Sequence, residues 1–129
     1  MSACPFCDPR PDGIVEQDRH SVALRDRYPV AEGHTLVIPR RHVESAFELD
    51  ADELASLWGL VARVRGALAA ELTADAFTVG LNDGIAAGQT VMHAHVHVIP
   101  RRAGDVDDPR GGIRWVIPAR AAYWNDPAR

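Results

Sequence analysis

The stretch that decides the fold is His93-Ala94-His95-Val96-His97-Val98-Ile99-Pro100, in which three histidines alternate with apolar residues. Branched apolar residues alternating up to a proline predict a β-strand, here over residues 91–99. Residues two apart on a strand point the same way, so the three imidazoles would share one face at intervals of roughly 6–7 Å. Each buried ring nitrogen needs a hydrogen-bonding partner, which makes such a row unusual as a purely structural feature. We therefore interpret the segment as an active site.

Three kinds of chemistry could use this row of histidines. A single metal bound by all three rings is disfavoured, because the outer backbone positions lie roughly 13 Å apart along a strand. Two neighbouring histidines could share a metal. Alternatively, the middle residue, His95, could be a nucleophile with two helpers beside it. Imidazole is partly neutral near pH 7 and attacks well in that state, and phosphorus is its natural electrophile.

The composition excludes several classes of function. A length of 129 residues predicts a single domain over residues 1–129. The net charge of −4 argues against bulk nucleic acid as a ligand. There is neither an apolar run long enough to span a membrane nor a secretion signal, so we expect a cytoplasmic protein. All 14 cationic side chains are arginines, which removes Schiff-base lysines and the lysine-dependent phosphate loop.

The two cysteines, Cys4 and Cys7, form a Cys-Pro-Phe-Cys turn near the N-terminus. In a cytosolic chain this spacing indicates half a zinc site or a redox pair, while two thiols without a special role are a third possibility. A redox pair normally lies between a strand and a helix, and no strand is predicted before residue 4. Half a zinc site is therefore the better interpretation, with two ligands to come from elsewhere in the chain.

The rest of the pattern predicts both strands and a helix. Short apolar runs predict a hairpin over residues 14–24 and strands at 34–39 and 77–81. One long helix begins after Asp50, which forms a capping-box pair with Glu53, and ends at about residue 72. Its apolar stripe predicts core packing and consists of Leu54, Leu57, Trp58, Val61, Val64, Leu68 and Leu72.

Two further segments lie on either side of the histidine stretch. The loop at residues 82–90 contains Gly84 and Gly88 and is a candidate phosphate-binding element, because glycines let backbone N–H groups approach an anion. In the C-terminal loop and tail, residues 103–129, the pattern allows a last strand at 113–117 and either a short helix or an irregular tail at 119–124. A lid over the site and a dimer contact are both compatible with residues 107–112.

Several separate motifs resemble the histidine triad (HIT) family. Residues 88–101 are similar to the family signature of histidines alternating with apolar residues. Residues 33–39 with Arg41-His42, the long helix and Asn82-Asp83-Gly84 then match the family in the expected order. The resemblance covers residues 4–102, and the tail from Gly104 onward resembles only a bacterial subset.

The resemblance implies an α+β fold of the HIT-like type: a five-stranded antiparallel sheet with one long helix, paired as a two-fold homodimer. It also implies reaction at the α-phosphate of AMP-like nucleotides, either dinucleoside polyphosphates or nucleoside phosphoramidates. The catalytic positions are His93, His95 and His97. By this resemblance His95 is the nucleophile that forms a nucleotidyl-histidine intermediate, which water then resolves, and His97 contacts the phosphate oxygens.

The resemblance also implies substrate-binding residues. Asn82, Gln89 and Thr90 match phosphate-binding positions, Asp26 matches the acidic residue that holds the ribose hydroxyls, and His34 matches a fourth histidine that supports the triad. The acidic metal cluster of magnesium-dependent phosphoryl transfer is not evident, so we expect no magnesium essential to the protein site.

Some bacterial proteins that the chain resembles bind structural zinc. The corresponding ligands are Cys4, Cys7, His42 and His93, an ordinary Cys2His2 set. This leaves His93 with two competing roles, because a ring that binds zinc cannot also protonate a leaving group. We favour the zinc ligand.

Two other functions are weighed against the enzyme. A nucleotide-binding regulatory module with little or no turnover would use the same pocket, yet it would not need a nucleophile at position 95. A zinc-storage or zinc-sensing protein would need all three triad histidines for metal affinity. The complete triad favours a nucleotide hydrolase or transferase.

Overall fold

Five short strands form one antiparallel sheet in the computed structural model, which describes residues 4–128. The strands are β1 (Ile14–Gln17), β2 (Ser21–Arg25), β3 (Thr35–Pro39), β4 (Ala76–Gly80) and β5 (Val96–Arg101). Their spatial order is β1-β2-β3-β5-β4, and every neighbouring pair is antiparallel. The five-stranded antiparallel sheet implied by the resemblance is therefore confirmed.

The long helix α1 (Ala51–Leu72) begins at the predicted capping box. The Asp50 carboxylate accepts from the Glu53 backbone N–H at 2.8 Å, and the Glu53 carboxylate accepts from the Asp50 N–H at 3.1 Å. The buried stripe differs at two positions from the predicted one. Leu60, which the prediction leaves out, is fully buried, whereas Trp58 is 41% exposed. Within residues 4–128, no helix is long and apolar enough to cross a membrane.

The two faces of the sheet carry different apolar clusters. On one face Ala23, Val37, Val96 and Val98 pack with the buried side chains of α1. Successive strand residues point to opposite faces, so the other face carries a second cluster, formed by Val22, Leu24, Leu36 and Ile38. His95 and His97 flank Val96 and therefore lie on this second face, which the helix leaves uncovered.

The strand predicted over residues 91–99 begins only at Val96, so two of the three histidines precede it. The strand begins late because the residues before Val96 make hydrogen bonds to groups outside the sheet ladder. The Ala94 N–H donates to the Val43 carbonyl, in the loop after β3, at 2.8 Å. The His93 ring Nε2 lies 2.8 Å from the Pro39 carbonyl. The segment before Val96 is thus bound to the end of β3 and its following loop.

The predicted strand at residues 113–117 is wrong. This part of the chain forms a 3-10 helix at Gly112–Val116, the short helix α2 (Pro118–Ala121) and a 3-10 turn at Tyr123–Asn125. The last two account for the helix expected at 119–124. Local hydrogen bonds stabilise the turns: the Trp115 indole donates to the Arg110 carbonyl and the Arg114 guanidinium to the Ala121 carbonyl. Residues 113–117 have no neighbouring strand to pair with, and they form helical turns with local hydrogen bonds instead.

Candidate active site

A cleft of about 980 Å³ opens on the sheet face opposite α1. Residues from β2, β3 and β5 line it, together with the N-terminal segment (residues 4–13) and the loop that precedes β5. Six of the predicted site residues contribute to its lining, namely Asp26, His34, Asn82, Thr90, His95 and His97. His93 and Gln89 are not among the lining residues. The fold thus brings together positions that are up to 71 residues apart in the sequence.

The tautomer of His95 follows from its backbone contact. Its ring Nδ1 lies 2.8 Å from the His93 carbonyl oxygen, which can only accept a hydrogen bond. Nδ1 therefore carries the hydrogen, and in the neutral ring Nε2 keeps its lone pair. His95 is buried but lines the cleft, so its neutral tautomer offers the Nε2 lone pair as a nucleophile there.

A second chain of hydrogen bonds fixes the tautomers of His34 and His97. The Val30 backbone N–H donates to His34 Nδ1 at 3.1 Å, so His34 carries its hydrogen on Nε2. That nitrogen lies 2.9 Å from His97 Nδ1, which must accept. His97 then keeps an N–H on Nε2, and its ring lines the cleft. This series of hydrogen bonds thus ends in a donor, His97 Nε2–H, beside the candidate nucleophile. The ring centroids of His95 and His97 are 5.2 Å apart.

Asp26 completes this network, which hydrogen bonds explain better than a bound metal. An Asp26 carboxylate oxygen lies 3.4 Å from His34 Nε2, and its other oxygen accepts from the Tyr28 N–H at 2.8 Å. Asp26, His34 and His97 are close enough together to be considered as metal ligands. The 2.9 Å between the two ring nitrogens is a hydrogen-bond distance, whereas nitrogens sharing a tetrahedral zinc ion are roughly 3.4 Å apart.

Burial keeps these two rings neutral. Burial is the main reason that the pKa of His97 falls to about 4; the neighbouring His95 and His34 also lower it, and Asp26 partly offsets them. Burial also lowers the pKa of His34, an effect that the Asp26 carboxylate partly offsets. At pH 7 both rings are therefore uncharged, consistent with the chain of tautomers above.

This neutral network predicts a pH-dependent stability. Below pH 6.5 the unfolded chain protonates His97 while the folded state does not, so the unfolded state binds more protons. The free energy of unfolding should therefore fall as pH drops from 7 to 5, with about 1–2 kcal/mol of the loss due to His97. Urea titrations at several pH values measure this.

The matched variants for this titration are His97→Asn and His20→Asn. His97→Asn should lose less stability than the wild type between pH 7 and 5, whereas His20→Asn should follow the wild type, because His20 does not line the cleft. An unchanged slope in His97→Asn would contradict the assignment of a neutral buried His97.

The four predicted zinc ligands lie together beside the cleft. The ligand atoms of Cys4, Cys7, His42 and His93 are all within 4.8 Å of one another. His93 Nδ1 lies 3.5 Å from Cys4 Sγ and 3.7 Å from Cys7 Sγ, and His42 Nδ1 lies 3.1 Å from Cys7 Sγ. A tetrahedral zinc ion separates such ligands by roughly 3.4–3.8 Å. The donor set therefore fits zinc, and so does the spacing of His93 Nδ1 from the two sulfurs.

Both nitrogens of the His93 ring already have partners within the protein. Nδ1 faces the two cysteine sulfurs, and Nε2 donates to the Pro39 carbonyl at 2.8 Å. Such a carbonyl partner orients a histidine that binds a metal. The ring is fully buried, so His93 has no nitrogen left for a molecule in the cleft.

The loop that carries His42 is anchored on α1. The Arg41 guanidinium donates two hydrogen bonds to the Glu53 carboxylate, at 2.8 and 2.9 Å. This pairing is the main reason that the pKa of Glu53 falls to about 2. Because Glu53 also caps the helix, the His42 position is tied to the first turn of α1.

The glycine loop contributes less to anion binding than its composition predicts. The N–H groups of Ala87, Gly88 and Gln89 donate to carbonyls within the loop, and the Gly84 N–H donates to the Gln89 side-chain oxygen at 2.8 Å. The Gln89 amide nitrogen in turn donates to the carbonyls of Glu44 and Val91. Gln89 therefore shapes the loop and has no side-chain N–H donor left for an anionic ligand.

Sequence reasoning missed the apolar part of the cleft. Phe6, Leu24 and Leu36 line it, and Tyr28 projects at its rim with 82% of its surface exposed. One signal was available, because β2 and β3 are apolar on both faces. A strand pattern of that kind predicts that the second face is covered or binds an apolar group.

Comparisons with known proteins identify the family of this domain. The model of the HIT domain matches residues 9–104. An uncharacterized HIT-like protein of Mycobacterium tuberculosis is 38% identical over 106 residues, which cover 79% of this chain and 74% of the relative. The asymmetrical bis(5'-nucleosyl)-tetraphosphatase of Schizosaccharomyces pombe is 40% identical over 95 residues, covering 74% of this chain and 52% of that enzyme.

A similar crystal structure extends the comparison beyond the domain model. The zinc-bound histidine triad family protein of Mycobacterium smegmatis is 32% identical, with a TM-score of 0.72, and the match covers 98% of both chains. The match therefore includes the tail beyond residue 104. From the domain match, the relatives and the shared fold together, this chain is a member of the HIT family.

Proposed function

We propose that the chain is a nucleotide hydrolase or transferase that acts at the α-phosphate of AMP-like substrates through a covalent nucleotidyl-histidine. One observation carries this proposal: the cleft presents a lone pair on His95 next to an N–H on His97. A nucleophile beside a donor is the arrangement that displacement at phosphorus needs. The tetraphosphatase relative gives independent support for this class of substrate.

In the first step, His95 Nε2 attacks the α-phosphorus and forms a P–N bond, while the bond from phosphorus to the leaving group breaks. The electron pair of that bond goes to the leaving group. The ring becomes positively charged, and its Nδ1–H donates to the His93 carbonyl, which stabilises this charge. His97 donates its Nε2–H to an oxygen of the phosphoryl group, where negative charge accumulates.

In the second step, water attacks the phosphorus of the nucleotidyl-histidine and forms a P–O bond, while the P–N bond breaks and its electron pair returns to His95 Nε2. AMP is released, and the proton lost by the water goes to solvent. Two further polar side chains line the cleft near the reacting group, Asn82 and Thr90. The Asn82 amide makes no hydrogen bond to the described residues, so its donors are available to a phosphate. In this proposal the phosphate donors are side chains rather than the loop backbone.

The nucleoside part would bind along β2 and β3. Leu24, Leu36 and Phe6 provide an apolar surface for a base, and Asp26 lies at the same cleft. A carboxylate accepts hydrogen bonds from the two ribose hydroxyls, which is the role that we assign to Asp26. His93 and Gln89 act on the protein itself, His93 as a zinc ligand and Gln89 as a support of the loop. Zinc in this site supplies structural stabilisation.

The neutral state of His97 predicts a preference among substrates. A neutral ring donates a hydrogen bond without transferring its proton, which suffices for a polyphosphate that leaves as an anion. An amine leaving from a phosphoramidate needs a full proton. We therefore expect kcat/KM for diadenosine tetraphosphate to exceed that for an AMP phosphoramidate by at least about tenfold at pH 7. Chromatographic assay of AMP release measures both rates.

This assay also tests the proposed function itself. AMP release from neither substrate, in a protein that binds AMP, would favour a nucleotide-binding regulatory module. Faster release from the phosphoramidate would leave the enzyme assignment in place and contradict the leaving-group argument.

We further propose that two copies pair as a homodimer. Strand β4 is at the edge of the sheet, and the 3-10 helix at Gly112–Val116 comes close to it, since a Cβ at Gly80 would lie 3.8 Å from Ile113. Ile113, Val116 and Ile117 are each more than half exposed. An exposed apolar segment beside a sheet edge is typical of an interface between subunits. Sedimentation equilibrium tests this assignment.

A further inference from the structure

The N-terminal segment (residues 4–13) belongs to both the metal site and the cleft. Cys4 and Cys7 supply two of the four candidate zinc ligands. Pro5, Phe6 and five of the six residues from 8 to 13 line the cleft. A short piece of chain therefore forms one side of the site where the nucleotide would bind.

Polar contacts hold this segment to the rest of the domain near its start and at its junction with β1. Residues 8–13 make hydrogen bonds and an ion pair among themselves, such as Arg10 to Asp12 at 3.1 Å. Among the described residues, their one polar contact with another element is local: the backbone N–H of Ile14, the first residue of β1, donates to the Pro11 carbonyl. The contacts of Cys4 and Cys7 reach His93 and His42. The position of the segment thus depends strongly on the metal site.

Phe6 connects the two sites directly. Its ring packs edge-on against His93 with the centroids 5.9 Å apart, and against His95 with the centroids 5.2 Å apart. The same ring packs on the apolar cluster that includes Leu24 and Leu36. One side chain therefore contacts a candidate metal ligand, the proposed nucleophile and the proposed base-binding surface.

We infer that metal occupancy and nucleotide binding are thermodynamically coupled through the N-terminal segment, with Phe6 as the positioning residue that carries the coupling. This inference rests on the proposed function for the identity of the nucleotide. With the metal in place, the segment is already ordered when the nucleotide arrives. Without it, part of the binding free energy is spent on ordering the segment, so the nucleotide binds more weakly.

The coupling must act in both directions. If zinc tightens nucleotide binding by some factor, the nucleotide tightens zinc binding by the same factor. Couplings between two sites in one protein are commonly about 5–150-fold. Because the segment has ten residues and lines the cleft, we expect zinc to tighten nucleotide binding by about tenfold or more.

The test measures both affinities with AMP as the probe. Calorimetry should give an AMP dissociation constant that rises about tenfold or more when zinc is stripped by a chelator. Competition with a chelating dye should show zinc affinity rising by the same factor when AMP is saturating. An AMP affinity that is equal in the loaded and stripped proteins, with circular dichroism showing both folded, would overturn the inference.

The variants separate coupling from simple structural damage. Phe6→Ala should still bind one zinc ion, while the effect of AMP on zinc affinity should fall close to onefold. Phe6→Leu should restore most of the effect. Phe77→Ala, on strand β4, which does not line the cleft, should leave it unchanged. If the stripped protein unfolds, zinc affinity with and without AMP is compared in the loaded wild type and in Phe6→Ala. Equal effects of AMP in those two proteins would overturn the inference.

The same measurements distinguish this inference from the proposed function. AMP binding that does not depend on zinc would remove the coupling and leave the nucleotide site. AMP binding without turnover of any substrate would remove the enzyme and leave the coupling. A loaded protein that does not bind AMP at all would show that the nucleotide site itself is wrongly assigned.

Discussion

Replacing His95 with asparagine should abolish turnover and leave nucleotide binding largely intact. Removal of an enzyme's nucleophile commonly lowers kcat by about a thousandfold or more. Asparagine keeps a donor that can reach the His93 carbonyl but has no nitrogen lone pair with which to attack phosphorus. AMP release from diadenosine tetraphosphate gives the change in kcat, and calorimetry gives the AMP dissociation constant, which should change by less than about fivefold.

His20→Asn is the matched control for this variant. His20 is the one histidine of six that belongs neither to the cleft nor to the cluster of four candidate zinc ligands. Its substitution should leave kcat and AMP affinity at wild-type values. Turnover that survives in His95→Asn, or AMP affinity that disappears together with turnover, would refute the assignment of His95 as the nucleophile.

Loss of a single metal ligand should remove zinc and destabilise the fold. Cys7→Ser and His42→Asn each leave three of the four ligands, with sites too poor to hold zinc in a structural role. The four candidate ligands come from the N-terminal segment, the loop after β3 and the segment before β5, which a bound ion would link. We expect a loss of about 3 kcal/mol, or roughly 10 °C in Tm. Metal analysis by mass spectrometry and thermal unfolding measure the two effects.

The outcome also separates a structural metal from a metal sensor. A sensor that used the triad would lose zinc on substitution of His95 or His97 as well. The geometry predicts that His95→Asn keeps one zinc ion per chain, because only His93 of the triad faces the cysteines. Stoichiometric zinc retained in Cys7→Ser would contradict the four-ligand assignment.

Periodicity predicted the parts of the fold in which side-chain burial decides the structure. Alternation put Val96 and Val98 on the face opposite His97, which is the face that α1 covers in the structure. The capping box at Asp50 and Glu53 gave the start of α1. The spacing of Cys4 and Cys7 predicted half of a metal site, and the fold brings both next to His42 and His93. These predictions depend on local chemistry, which the sequence displays directly.

The remaining features depend on partners that a sequence does not display. The tautomers of His95 and His34 are set by the His93 carbonyl and the Val30 N–H, backbone groups that every residue type carries. Gln89 matched a phosphate-binding position, yet three backbone groups of the chain already engage its amide. The late start of β5 has a similar origin, because the loop at Val43 competes with the sheet for the Ala94 N–H.

The most direct measurement is to trap the proposed intermediate. Diadenosine tetraphosphate would be mixed with the wild-type protein, the reaction quenched in alkali within milliseconds, and the peptides analysed by mass spectrometry. We predict one adenylyl group attached through a P–N bond to His95, formed and lost at rates that match turnover and absent from His95→Asn. Full turnover without a labelled peptide, or a label on any other residue, would contradict the account.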